Sequence, residues 1–407
     1  MISFFKQREA KFAPIALIIF TGLVVRLLLI GNVGNAGDLG LFASWSQRLQ
    51  ETTFARFYHP DFFCDYLPGY LYILWAIGRI QAATGANYHV LLKFPAIAAD
   101  IALCLFIYIA ARKDGNEKKA LIGASAAIFN PMSIYNSSVW GQIDSVLALF
   151  LIVSIYFASE GRFELAASFY GIAAVIKPQS MFLAFAFFFI FLEKLPTGPL
   201  RWTIKLFKCI LAFASTAYLL ALPFAPTFNP SWIISLYANV MSEYSYVSMN
   251  AYNLWWLFGI HWVSDSVRLW LFSYNAWGYI SVAFLIMSSL AIFLKCEGRS
   301  KIPYAAALIH TAIFMACCRM HERYLFPSVF FLLLAYTYDK DPFTLALAAL
   351  FSVTNALNLE GALHWAGRLF GLRTGISAAN AVLMLSAFAL FILRAARTPK
   401  ERLKNAG

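Results

Sequence analysis

The chain reads as an all-α polytopic membrane protein with about twelve transmembrane helices. Three observations predict it. Apolar runs of crossing length recur from residue 14 to residue 394, and 61% of the 407 residues are hydrophobic against 13% charged. The basic residues also crowd into alternate loops. The expected spans are 14–30, 90–111, 120–136, 145–159, 165–177, 180–193, 207–223, 271–294, 303–318, 325–338, 342–357 and 374–394.

The run at 14–30 follows a short basic segment and has no small-residue cleavage site behind it, so it reads as a retained span rather than a signal peptide. With both termini placed on the cytoplasmic side, the cytoplasmic segments hold 21 of the 32 Lys and Arg and 10 of the 20 acids, a net +11. The positive-inside rule therefore accounts for nearly all of the net charge of +12, and no nucleic-acid partner is needed to explain it. The six cysteines show neither a pairing pattern nor metal-ligand spacing, so no disulfide and no metal site is expected. No phosphate-binding loop, dinucleotide fingerprint or nucleophile elbow occurs, and no cofactor is expected.

Two stretches are too long to be simple turns. Residues 31–89 read as a first external loop carrying interfacial helices, since a crossing at 69–84 would put the basic 112–119 segment outside. Leu41, Phe42, Trp45 and Leu49 share one helical face there, with Arg48 off it. Residues 223–270, rich in Tyr and Trp, read as a second external loop at headgroup depth. The chain is thus expected to be a single transmembrane domain over 1–407.

The few charges beside apolar runs are the candidate site, because charge next to hydrocarbon is costly and tends to mark function. Asp38 follows the first span; it reads equally as a carboxylate that takes a proton from a hydroxyl and as the N-cap of the next helix. Asp65-Tyr66-Leu67-Pro68 reads as a substrate-facing carboxylate or as a turn before a helix with Pro68 in its first turn. Asn130-Pro131 followed by Trp140-Gly141-Gln142-Ile143-Asp144 offers amides and a carboxylate beside an aromatic face, a mixture that suits hydroxyl-rich ligands; structurally, Asp144 would cap the next helix. Arg319, His321, Glu322 and Arg323 lie between two spans, where forked guanidinium donors suit a phosphate. Arg26 and Asp100, deepest in the spans, read as an internal ion pair, and Lys177 at a span junction is a weak candidate contact for an anion.

In these motifs the chain resembles GT-C-type integral membrane glycosyltransferases, specifically bacterial relatives of the mannosyltransferase that adds the second mannose in glycosylphosphatidylinositol anchor synthesis. The matching residues are Gly37-Asp38, Asp65-Tyr66-Leu67-Pro68, Asn130-Pro131 with Trp140 to Asp144, and His321-Glu322-Arg323-Tyr324-Leu325-Phe326-Pro327. The resemblance implies a GT-C-like fold and a polyprenyl-phosphate-linked sugar donor. It also implies inversion by single displacement without a required metal, at the external face of a bacterial plasma membrane. It makes Asp38 the general base and places His321 and Arg323 at the donor phosphate. From the clusters themselves, Arg319 is expected beside that phosphate, and Asp65, Tyr66, Trp140, Gln142, Asp144 and Glu322 are expected as substrate contacts. The acceptor is a glycan, lipid or protein, and a separate partner subunit is compatible with the lack of an extra domain.

Three other classes compete. A non-catalytic subunit of the same fold would tolerate loss of the loop acid, which is present here as Asp38. A transporter or flippase for lipid-linked sugars would favour internal repeats and a charged path, and neither is found. A phosphoethanolamine or acyl transferase would want a nucleophile or metal cluster, and none is apparent.

Overall fold

The structure is a computed structural model that describes residues 2–32, 34–113, 115–364 and 370–396. The basic tail beyond 396 lies outside the described residues. Each expected span falls on a helix, though often not with the expected ends. The amino-terminal half comprises α1 (Ile2–Leu29), α2 (Ala36–Glu51), α3 (Pro68–Thr84), α4 (Tyr88–Arg112), α5 (Glu117–Ile128), α6 (Pro131–Ile134), α7 (Asp144–Ser159) and α8 (Phe163–Ala174). Then follow α9 (Ala184–Lys194), α10 (Pro199–Ala221), α11 (Ser231–Ser242), α12 (Leu254–Leu257), α13 (Tyr274–Lys295), α14 (Lys301–Ala316), α15 (Phe326–Asp339), α16 (Pro342–His364) and α17 (Phe370–Ala396).

Burial sorts these helices. Every residue of α14 is buried, as is α15 from Phe326 to Thr337, so this pair forms the centre of the bundle, with α7 and α16 against α15. A helix apolar all round has no face to give to water and goes inside. At the other extreme, α10 buries only Ala221 and exposes Phe207 and Leu219, as expected of a helix whose solvent is lipid. By length and composition, six helical segments among the described residues suffice to cross a bilayer: α4, Pro178–Thr197, Pro199–Phe224, α13, α16 and Leu372–Leu393. The apolar part of α1, with α7, α8 and α14, is shorter.

Two expected boundaries fail for identifiable reasons. The span at 120–136 stops at Ile128, because Asn130 caps a new helix with its side chain (Oδ1 accepts from the Ser133 amide) and Pro131 opens it. The chain then widens into a π-helical turn over Tyr135–Trp140. The span at 180–193 begins instead as a 3-10 turn, Pro178–Leu183, before α9.

Arg26 and Asp100 do pair. The Arg26 Nε to Asp100 Oδ2 distance is 2.8 Å and neither side chain is exposed. Arg26 also donates to the carbonyls of Gly22 and Ile128 and to Ser133 Oγ, while the hydroxyls of Ser133 and Ser145 donate to Asp100 Oδ1. One fully bonded polar knot thus joins α1, α4, α6 and α7, which is how a charge pair is tolerated away from water.

Within 31–89, α2 and α3 run side by side in the same direction. Phe42 meets Tyr66 and Tyr70, and farther along Ser46 Oγ donates to the Leu74 carbonyl and Gln50 Nε2 to that of Trp75. The buried face of α2 is Leu39, Phe42, Trp45, Ser46 and Leu49. Arg48 turns away to donate to the carbonyls of Phe57 and Arg56. In the second long segment, β1 (Ser248–Met249) and the hairpin strands β2 (Arg268–Leu269) and β3 (Phe272–Ser273) appear. β1 pairs in parallel with β4 (Met320–His321), in the loop between α14 and α15.

Candidate active site

Asp38 sits in the first turn of α2. It is not the N-cap: Asn35 is, its side-chain oxygen accepting from the Asp38 amide at 3.1 Å. That leaves the Asp38 carboxylate free to look outward from the helix start. The loop ahead of it lies directly on the π-helical turn. A β-carbon on Gly34, whose φ is +69°, would fall 2.6 Å from the Val139 carbonyl oxygen and 2.7 Å from that of Trp140, so only glycine brings these backbones so close.

The π-helical turn delivers two donors to that carboxylate. Trp140 Nε1 donates to Asp38 Oδ2 at 2.8 Å and Gln142 Nε2 donates to the same oxygen at 2.6 Å. The turn is closed by Asn136, whose carbonyl accepts from the amides of Gly141 and Gln142 at 3.0 Å each. Gln142 Oε1 accepts from the Tyr66 hydroxyl at 2.9 Å and from Lys177 Nζ at 3.1 Å. Trp140 and Gln142, expected to face substrate, are thus bonded to the carboxylate itself. Asp144 is likewise not the cap of α7, which begins at Asp144 with Ile143 before it; its Oδ1 accepts from Lys177 at 2.9 Å. Lys177 precedes Pro178 and takes the extended conformation that proline imposes on its predecessor. A second close approach holds this corner: the Gly69 amide at the start of α3 donates to the Val175 carbonyl at 2.6 Å, where a β-carbon on Gly69 would collide.

The opposite wall comes from the loop between α14 and α15 and from the second long segment. Arg323 donates to Glu322, and its Nε, 4.0 Å from Asp144 Oδ2, is buried without a hydrogen-bond partner. His321 stacks edge-on against Tyr244. Tyr244 in turn donates to Asp65 Oδ2 at 2.9 Å, leaving Asp65 Oδ1 buried and unpartnered. Arg319, in the left-handed region at φ +64°, donates through Nε to Asp265 at 2.7 Å and to the Met241 carbonyl. Its Nε is therefore committed within the wall, whereas Arg323 pairs with Glu322 through Nη1 and keeps its Nε unbonded.

Together these groups enclose a cavity of about 420 Å³, lined among others by Asp38, Asp65, Tyr66, Trp140, Gln142, Lys177, Arg319, His321, Glu322 and Arg323. The residues expected to act as base, phosphate ligands and substrate contacts line it except Asp144, which stands just behind Lys177 and Arg323, while Asn130 caps α6 instead. Burial pushes the carboxyls of Asp65 and Glu322 above their ordinary range, against the pull of the Tyr244 hydroxyl on the first and of Arg323 on the second. Burial, together with Arg323 and Lys177, drives His321 well below its ordinary 6.5. The imidazole is therefore neutral and can donate a hydrogen bond but carries no charge. The described residues hold no cluster of His, Cys, Asp and Glu suited to a metal ion.

Tyr244, Asn35 and Lys93 escaped the sequence reading. Lys93, fully buried, donates to the carbonyls of Ile30, Asn32 and Ser138 at 3.0, 2.7 and 3.0 Å, which ties the approach to Asp38 to the turn that carries its donors. A lysine inside the 90–111 run was the available signal. Tyr244 gave none among so many aromatic neighbours.

The sequence matches no protein-family model and no curated protein. Among solved structures, the chain superposes on ArnT from Cupriavidus metallidurans, determined bound to undecaprenyl phosphate, with a TM-score of 0.54. The match covers 94% of this chain and 77% of that one at 13% identity. The fold is GT-C. The chain is accordingly an all-α, multi-pass membrane protein of the architecture expected from its motifs, and the cavity lies inside that architecture.

Proposed function

We propose that this GT-C protein is an inverting glycosyltransferase that moves a hexose, mannose by the sequence resemblance, from a polyprenyl-phosphate-linked donor to an acceptor hydroxyl. The observation that carries the reading is that Asp38 and Arg323, far apart in sequence, open onto one cavity with opposite charges and different bonding states. Asp38 has one oxygen held by two donors and the other available to an incoming hydroxyl. The acceptor oxygen gives its proton to Asp38 and attacks the anomeric carbon from the face opposite the phosphate. The bond from that carbon to the phosphate oxygen breaks, and the lipid phosphate leaves with its negative charge. Arg323, with an uncommitted Nε, stabilises that charge, and neutral His321 adds a hydrogen-bond donor. Asp65 and Glu322, raised by burial, and Tyr66 present oxygens to sugar hydroxyls. The setting fits the external face of a bacterial plasma membrane with both termini inside. The undecaprenyl phosphate bound to ArnT supports the donor class.

The test is sugar transfer by purified protein in nanodiscs, with labelled polyprenyl-phosphate-mannose and -glucose, a membrane-lipid extract, and Asp38→Asn alongside. Label moving to a new product with wild type, and about 10²–10⁴-fold more slowly with Asp38→Asn, supports the proposal. Donor binding without transfer by wild type returns the chain to a non-catalytic subunit of the same fold. Absence of donor binding removes the lipid-phosphate site.

A further inference from the structure

A side-chain amide has two ends that a hydrogen-bond network can exchange, and only one orientation of Gln142 serves Asp38. Its Nε2 must point at the carboxylate to donate at 2.6 Å. The other end meets Lys177 Nζ at 3.1 Å, and an ammonium offers donors only. Were the amide reversed, its NH₂ would face the ammonium and its carbonyl would face the carboxylate, two repulsions replacing two bonds. Tyr66 could accommodate either orientation, because a hydroxyl both donates and accepts. Lys177 therefore decides. It is itself fixed, 4% exposed, by Asp144 at 2.9 Å. Acceptor and donor alternate without a break from Asp144 through Lys177 and Gln142 to Asp38.

We propose that Lys177 is a positioning residue for Asp38, acting through the Gln142 amide, whose orientation it imposes. The proposal rests on Asp38 as the base and adds to it the part that keeps one carboxylate oxygen occupied and the other turned toward the acceptor. Lys177 is then not a ligand of the donor phosphate, although it lines the cavity. Asp38 is also faced by Arg323, by the carboxylates of Asp65 and Glu322, and by the phenols of Tyr66 and Tyr70, so the Lys177 contribution must be isolated from theirs.

The experiment is a cycle of Gln142→Leu and Lys177→Met. Asp144→Asn is built into every Lys177→Met chain so that no buried carboxylate is stranded, and Asp144→Asn alone is the reference. Transfer kinetics are measured together with the infrared carboxylate stretch of Asp38 at one fixed neutral pH, identified by its loss in Asp38→Asn. Each change should lower kcat by about 10–100-fold with the donor KM unchanged. Combined, they should be little worse than Gln142→Leu alone. Lys177→Arg, which keeps the donor, should recover most of the rate. A raised donor KM in the Lys177→Met chain, or independent effects that multiply, overturns the proposal. If wild type transfers no sugar, the function reading fails, yet the carboxylate band still decides the positioning claim. The Asp38 carboxylate stretch should shift in both variants as the Gln142 donor is lost or reoriented, with most of the Lys177 effect absent in the Gln142→Leu background. An unmoved band in the Lys177→Met chain, or a Lys177 effect that persists in that background, overturns it.

Discussion

Replacing Arg26 with Met strands a buried carboxylate, and the size of the effect follows from the bonds around it. Arg26 makes four hydrogen bonds, to Asp100, the Gly22 and Ile128 carbonyls and Ser133. Methionine fills much the same volume, so packing is largely retained and the loss is electrostatic. Asp100 keeps its two serine donors on Oδ1, but Oδ2 loses the Arg26 guanidinium at a position with no exposure. Removing one member of a buried ion pair costs about 3–5 kcal/mol. Adding Asp100→Asn, which removes the stranded charge while keeping an acceptor for the serines, should recover more than half of that. Equilibrium unfolding in mixed micelles, run for wild type, Arg26→Met and the double variant, reads both numbers. A loss below about 1 kcal/mol for Arg26→Met, or no recovery in the double variant, would refute the view that this pair is a fully compensated knot. Because Ser133 starts the segment that leads to Trp140 and Gln142, transfer should fall along with stability.

Arg323→Ala should weaken donor binding and slow transfer by about 10²-fold or more, whereas Asp38→Asn should leave donor binding nearly intact; mild, equal effects on a binding isotherm would refute the division of roles. Lys93→Met should cost about 1–3 kcal/mol, because the buried Ser138 carbonyl and the partly buried carbonyls of Ile30 and Asn32 lose their donor, and should lower kcat more than it raises KM in the transfer assay. His321 is held neutral below its ordinary 6.5, so the stability this confers is present above pH 6.5 and is lost as pH falls through the depressed folded-state value. Thermal midpoints of His321→Gln and wild type should therefore diverge below pH 6.5 in favour of the variant, and parallel curves would contradict a buried neutral imidazole.

Much of the architecture was legible because bilayer helices advertise themselves through composition. The pairing of Arg26 with Asp100 followed from the cost of leaving either charge alone. The convergence of Asp38, Trp140 and Arg323 was legible only as a common membrane face. The bonding inside the cavity was not. Asp38 and Asp144 both looked like helix caps, yet Asn35 caps α2 and Asp144 is engaged by Lys177, because a cap depends on local backbone geometry that sequence spacing leaves open. The 120–136 run looked continuous because its residues are apolar, whereas Pro131 and the Asn130 cap break it. Tyr244 reaches Asp65 through a fold of the second long segment that periodicity does not encode.

The widened turn at Tyr135–Trp140 makes chain length itself a determinant of the site. Along a regular helix each residue rotates the next by about 100°. Trp140 and Gln142 meet one oxygen of Asp38 only because the turn holds more residues than an α-helical turn would. Deleting a single residue anywhere in that turn would swing both side chains off the carboxylate without removing either from the sequence. Insertions and deletions should therefore be purged between Asn130 and Asp144 even where individual substitutions are accepted, while the lipid-facing surface of α10 can drift freely in composition.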